Sequence, residues 1–310
     1  MKVNYENKEY NLPDFLIVGA AKSGTTSLYY HLSNSKQVHF SKVKEPHFFT
    51  FYNNKPNFKS LEKLPTVVSS LKKYNTFFNQ ASNQSILGEA STSYLYKHNE
   101  VISNINKIYG DKARDLKIII VLRNPIERAW SQYWHFRKNF NETEPFLDTI
   151  TNETITSRME ANWNLYYNYI DFGMYTKQVK AYQENFNNVK IFLYDDLKKS
   201  TNNVVNELSK YLKINTIKLD KPRQFNPSGL PKKNIYGNLW KLNTKFKSLK
   251  KLKQLLPYKF RKSISNRVME KALDRQVMDD KIRQELQRIY KEEINDLYNL
   301  LKREEIKQWC

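Results

Sequence analysis

The sequence predicts an α/β fold: a parallel sheet flanked by helices around a P-loop-like turn, with a helical C-terminal region. Three observations predict it. A short apolar run, Phe15–Val18, leads into a loop holding two of the chain's seven glycines, Gly19 and Gly24. A second apolar run, Lys117–Leu122, leads into a capped helix. Strand and helix patterns then alternate, which implies a parallel sheet covered on both faces.

Phe15–Val18 reads as a buried strand, 19–24 as its exit loop, and 25–33 as a helix. Residues 88–95 read as a short strand or a loop. The KIIIVL run at 117–122 is apolar throughout, as a strand buried on both faces must be. Asn124 can cap the next helix, with Pro125 at its first position. Ile126, Trp130, Tyr133 and Trp134 then fall on one apolar face. Residues 140–170 are mixed polar and aromatic and read as a mobile covering segment. A helix is expected over 175–186, a third strand over 189–194, and a helix over 202–212. In the stretch 280–301, Ile282, Leu286, Ile289, Ile294, Leu297 and Leu301 recur near helical spacing, so a long packing helix is expected. The organisation read from this is one domain over 1–310, with an α/β core at 12–215 and a basic loop and helices at 216–310.

Composition narrows the function. With 40% hydrophobic and 14% aromatic residues in 310, the chain can bury a real core and is not a disordered polymer. Its one cysteine, Cys310, excludes a disulfide framework and a cysteine-rich metal site. The five histidines show no ligand spacing, so no metal is expected. Met1–Asn11 is polar, and no apolar run approaches the ~20 residues of a membrane span. The expectation is a cytoplasmic protein. The net charge of +21 calls for an acidic partner. It is concentrated at 232–262, with eleven Lys or Arg and no Asp or Glu. That run is either a solvated face, a wall beside a phosphorylated ligand, or a peripheral membrane contact.

The strand–loop–helix FLIVGAAKSGTTS carries the strongest chemistry. Open N–H groups at a helix start, together with the helix dipole, favour an anion. Lys22 adds a cation, and Ser23, Thr25, Thr26 and Ser27 add hydroxyls. In a Walker A loop the lysine follows the second glycine. Here Thr25 follows Gly24 and Lys22 precedes it by two, so the loop should cradle a phosphate-like group without the usual lysine–magnesium arrangement. The segment IIIVLRNPIERAWSQY puts Arg123 at a strand's carboxyl end, where open α/β sheets bind ligands. Ser131 lies two turns on. Both could grip a second phosphate, or Arg123 could simply pair with Glu127 or a carbonyl.

Together these segments resemble the sulfotransferases that use 3′-phosphoadenosine 5′-phosphosulfate (PAPS). KSGTTS at 22–27 resembles that family's 5′-phosphosulfate loop, and RNPIERAWSQY at 123–133 its 3′-phosphate motif. KEPHFF at 44–49, GEASTSYLY at 88–96, FGMYTKQVKAYQENF at 172–186 and FNPSG at 225–229 point to the branch that modifies glycans, including heparan sulfate sulfotransferases and their bacterial relatives. The resemblance implies the sulfotransferase fold and PAPS as co-substrate without metal. It also implies a saccharide or other hydroxyl- or amine-bearing acceptor, with no nucleic-acid partner. It implies that Lys22 neutralises the leaving oxygen, that residues 23–27 (Gly24 among them) hold the 5′-phosphate, and that Arg123 and Ser131 hold the 3′-phosphate. Glu45 matches the family's general base, with His47 beside it. Lys232 and Lys233 are the candidates for the family's late basic 3′-phosphate loop. Thr50 and Ala90 depart from the heparan sulfate pattern, where Asp and Lys are frequent, so the acceptor need not be heparin-like. Two rivals are a magnesium-dependent P-loop kinase, with Asp195 after a strand as metal ligand, and a basic nucleic-acid binder. No nucleic-acid-binding signature supports the second.

Overall fold

A computed structural model describes residues 1–61, 64, 66–82, 85–217, 219, 230–231, 273–274 and 276–309. The chain opens with an antiparallel hairpin, β1 (Lys2–Tyr5) and β2 (Lys8–Asn11). The central sheet has five parallel strands: β3 (Phe15–Gly19), β4 (Val38–Phe40), β5 (Ile86–Ala90), β6 (Lys117–Leu122) and β7 (Asn188–Leu193). Their order is β4-β5-β3-β6-β7.

The helices are α1 (Thr25–Leu32), α2 (Leu71–Asn75), α3 (Ser93–Tyr96), α4 (His98–Tyr109), α5 (Pro125–Arg137), α6 (Phe146–Thr149), α7 (Asn152–Glu160), α8 (Tyr175–Asn185), α9 (Tyr194–Leu212), α10 (Asp280–Leu301) and α11 (Glu304–Lys307). A two-residue pair, β8 (Leu230–Pro231) with β9 (Leu273–Asp274), is antiparallel.

The alternation of side chains along a strand explains the layering. Leu16, Val18, Ile118, Ile120 and Leu122 face the larger core, shared with α4, α5, α8 and α10. Phe15, Ile17, Ile119 and Val121 face the other, shared with α1 and α9. Each such aliphatic side chain removed from water contributes about 1.5–3 kcal/mol. The sheet is thus covered on both sides, as the continuous apolar runs require.

Several expectations are refined. Residues 88–95 hold the end of a strand and the start of a helix, β5 and α3. Gly88 in β5 lies flat against Phe15: a Cβ there would come within 2.2 Å of Phe15 Cζ. The helix expected over 202–212 is the second half of α9: a kink at Ser200, whose Oγ accepts from the Asn203 N–H at 3.2 Å, separates it from a first half that begins at Tyr194, where the Asp196 carboxylate accepts from the Leu193 N–H at 2.8 Å. On α5, Asn124 accepts from the Ile126 N–H at 2.9 Å, as a cap must. On α10, Leu286, Ile294 and Leu297 are buried with Tyr290. The 140–170 segment is built into the core rather than laid over it. It contains α6 and α7, and Glu142 receives Arg158 in a buried bidentate pair at 2.8 and 3.1 Å. The Tyr169 hydroxyl donates to the same carboxylate at 2.8 Å.

Candidate active site

Four neighbouring strands, β4, β5, β3 and β6, send their carboxyl ends to one crevice. The loops leaving them carry the residues singled out in the sequence.

The loop after β3 turns sharply. Lys22 and Gly24 both take left-handed backbone, at φ 67° and 90°. Glycine suits the second position twice over, since a Cβ would also press within 3.1 Å of Leu197 and Tyr194. Among the described residues nothing accepts the N–H groups of Gly24, Thr25 or Thr26. Three such donors at a helix start form a concave anion cradle. Ser23 is buried beside the Tyr175 hydroxyl, Thr25 is buried, and Thr26 and Ser27 are half-buried. Burial holds the Lys22 ammonium well below its ordinary pKa. Lys138, Arg123 and Lys44 lower it further, and Glu45 opposes them.

The loop after β6 brings Arg123 against this cradle. Its Nη1 donates to the Lys22 carbonyl at 3.1 Å, and its guanidinium lies 5.0 Å from the Tyr194 ring centroid. Nη2 stands 3.8 Å from Glu127. Both plain alternatives for Arg123, a carbonyl and Glu127, are therefore present, and they aim the fork beside the cradle. Ser131 lies half-buried two turns into α5. Asn124 also donates to the Trp309 carbonyl at 3.2 Å, tying the C-terminal end to this loop.

The loop after β4 carries Lys44, Glu45 and His47. Glu45 and His47 are non-glycine residues with φ of 58° and 53°, a conformation that costs free energy unless surrounding contacts enforce it. The Glu45 carboxylate receives Lys44 Nζ on Oε1 and lies 3.9 Å from His47 Nε2. Burial pushes the Glu45 pKa up, but Lys44, His47 and Lys22 outweigh it and hold the group below its ordinary value. Glu45 is therefore charged at neutral pH. His47 is fully buried, with Nδ1 2.8 Å from Ser93 Oγ. Burial drives its pKa down to about 4, so the ring is neutral at pH 7.

The structure therefore brings Lys22, the 23–27 cradle, Arg123, Ser131, Glu45 and His47 to one end of the sheet. Lys232, Lys233, the FNPSG segment at 225–229 and the basic run at 232–262 lie outside the described residues. Asp195 pairs with Lys198 at 2.7 Å on a partly exposed turn of α9. Among the described residues no group of three or more His, Cys, Asp or Glu is arranged to hold a metal ion.

Sequence reasoning missed His135. Its Nδ1 lies 3.3 Å from Lys22 Nζ. Burial, then the charges of Lys22 and Lys138, hold its pKa well below the ordinary value, so a neutral ring accepts from the lysine. The signal was available: His135 is four residues after Ser131 and shares its helix face. Glu89 was also missed, as a fully buried carboxyl on β5.

The family profile of the sulfotransferase domain matches residues 12–299. The chain belongs to the sulfotransferase family. The fold agrees with this: a sulfotransferase from Alicyclobacillus acidocaldarius superposes with a TM-score of 0.70 at 24% identity, covering 96% of this chain and 99% of that one.

Three curated relatives are similar over part of the chain. The membrane-associated sulfotransferase kil1 of Dictyostelium discoideum is 31% identical over 132 residues, 42% of this chain and 24% of that protein. Human carbohydrate sulfotransferase 15 is 27% identical over 168 residues, 45% of this chain and 30% of that protein. Human bifunctional heparan sulfate N-deacetylase/N-sulfotransferase 2 is 36% identical over 131 residues, 41% of this chain and 13% of that protein. The matches thus span less than a third of each of these relatives. They correct one expectation. Assignment to the cytoplasm rested on the polar N-terminus and the lack of a long apolar run, but the family relatives include a membrane-associated sulfotransferase. Among the described residues no helix is long and apolar enough to cross a membrane.

Proposed function

We propose that this sulfotransferase moves a sulfuryl group from PAPS to a hydroxyl or amine of a saccharide acceptor by in-line displacement. The observation that carries the reading is the convergence of Lys22, Arg123 and Glu45 on one crevice. Arg123 bonds the Lys22 carbonyl, Lys22 and Glu45 lie in each other's field, and three open N–H groups sit beside them.

In this reading the N–H groups and hydroxyls of residues 23–27 bind the 5′-phosphate, and Arg123 with Ser131 binds the 3′-phosphate. The guanidinium fork suits two phosphate oxygens. Glu45, charged at neutral pH, takes the acceptor's proton as the acceptor oxygen or nitrogen bonds to sulfur. The bond between sulfur and the bridging oxygen breaks, and Lys22 meets the charge left on that oxygen. His135 holds the Lys22 ammonium in place. His47, neutral and bonded to Ser93, orients the Glu45 loop rather than taking the proton. The names of the carbohydrate and heparan sulfate relatives support a saccharide acceptor. Residues 1–310 are read as one domain for this purpose.

Turnover of sulfur-labelled PAPS tests the roles. Glu45→Gln should keep nucleotide affinity and lower turnover by ~10²–10⁴, the usual share of general acid–base catalysis. Lys22→Ala should weaken binding and turnover together. If His47→Ala abolishes turnover while Glu45→Gln keeps most of it, Glu45 is not the base.

A further inference from the structure

The loop that carries Glu45 is held by backbone donors at every second residue. The Glu45 N–H donates to the Ala90 carbonyl at 3.0 Å. The His47 N–H donates to Ser91 Oγ at 3.0 Å, and the Phe49 N–H donates to the Tyr94 hydroxyl at 3.2 Å. The last of these acceptors is itself bonded to a buried carboxyl: Tyr94 donates its proton to Glu89 Oε2. The Tyr74 hydroxyl donates to it at 3.2 Å, and the Tyr74 ring stacks on Phe48 at 4.0 Å between centroids. Glu89 is fully buried at the end of β5. A buried carboxyl is expensive unless its hydrogen bonds are made; here both that are made among the described residues fall on Oε2, from Tyr74 and Tyr94, and both tyrosines pack against the 45–49 loop.

We propose that Glu89 is a positioning residue for sulfuryl transfer: through Tyr94 it anchors the Phe49 end of the 45–49 loop so that Glu45 faces Lys22. The catalytic half of this statement rests on the function proposed above; the structural half does not. A hydroxyl that donates to a carboxylate becomes a better acceptor on its own oxygen, since chains of hydrogen bonds polarise one another. Glu89 thereby strengthens a contact it does not make, that of the Phe49 N–H with Tyr94. That contact anchors the loop in which Glu45 and His47 take left-handed backbone.

The test is amide hydrogen exchange on the full chain. Above pH 7, where Glu89 is ionised in the fold, Glu89→Gln preserves shape and removes the charge. The Phe49 amide should exchange about tenfold faster or more, while those of β3 and β6 stay as in the wild type. Tyr94→Phe, which removes the linking hydroxyl, should free the same amide and decides the matter if Glu89→Gln does not fold. Adenosine 3′,5′-bisphosphate, the product nucleotide, should bind the Gln variant within about twofold of wild type. With labelled PAPS and N-desulfated heparan sulfate, Glu89→Gln should lower turnover about tenfold at constant KM for PAPS, and Glu45→Gln/Glu89→Gln should be no slower than Glu45→Gln. Unchanged exchange at the Phe49 amide overturns the proposal, as does faster exchange spread evenly over β3 and β6. So does a double variant whose losses multiply. A wild type that does not bind the nucleotide overturns the function proposed above and leaves the exchange result standing.

Discussion

Glu89 also makes the protein's stability depend on pH in a direction opposite to most carboxylates. Burial pushes its pKa up to about 7. Hydrogen bonds from Tyr94 and Tyr74 hold it down, and the charge on Glu45 adds to the rise. The other titratable groups around it are Tyr74, Tyr94, Tyr109 and Tyr182, all held above their ordinary range and neutral below pH 8. Between the ordinary 4.5 and about 7, the folded chain binds a proton at Glu89 that the unfolded chain has released. Stability must then fall as pH rises through that window. At about 1.4 kcal/mol per pH unit the loss comes to about 3 kcal/mol.

Glu89→Gln cannot titrate, so the difference between the two proteins isolates the effect from every other group. Urea unfolding followed by tryptophan fluorescence at pH 4.5 to 8 measures it. The wild type should lose about 3 kcal/mol relative to the variant across the range, at constant m-value. A difference that does not change with pH would refute the reasoning, since Glu89 would then ionise in the fold as it does in water.

Two further outcomes are expected. Arg123→Ala should weaken binding of adenosine 3′,5′-bisphosphate by about 2–3 kcal/mol in calorimetry and weaken adenosine 5′-phosphosulfate, which lacks the 3′-phosphate, far less; equal losses would show that Arg123 does not read the 3′-phosphate. Arg158→Ala strands the buried Glu142 carboxylate and should cost about 3–5 kcal/mol of unfolding free energy in urea, whereas an effect under about 1 kcal/mol, the scale of a surface pair, would mean the pair is solvated.

How much could be read from the sequence depended on how local each cause was. β3 and β6 are apolar from end to end, and Asn124-Pro125 marks a helix start within two residues, so these elements and the cradle between them were legible. β5 was not, because Gly88 and Glu89 interrupt its apolar pattern; the first is there to admit the Phe15 ring and the second to anchor another loop. The 140–170 segment looked mobile because its ordering pair, Glu142 with Arg158, is sixteen residues apart and no local pattern announces it. The candidate site was legible where a residue's position is set by its own loop, as for Lys22 and Arg123, which meet at the Lys22 carbonyl. It was illegible where the position is set across the fold, as for His135, which meets a lysine 113 positions away.

The strand order also arranges the proposed chemistry along a line. Adjacent strands lie about 4.8 Å apart, so the loops after β4, β5, β3 and β6 are set out in steps of that size. In that order the crevice presents Glu45 and His47, then Ser91 and Ser93, then Lys22 and the N–H cradle, then Arg123 and Ser131. A nucleotide with its phosphosulfate over β3 and its 3′-phosphate over β6 leaves only the β4–β5 side for the acceptor. That is the side on which the charged Glu45 waits and on which Thr50, bonded to Ser93 at 2.8 Å, replaces the acid frequent in heparan sulfate enzymes. On the proposed reading, cofactor recognition and acceptor choice lie on opposite halves of one sheet. Substitutions after β4 could then change the acceptor without disturbing the cradle, which is why a legible loop after β3 says so little about the acceptor.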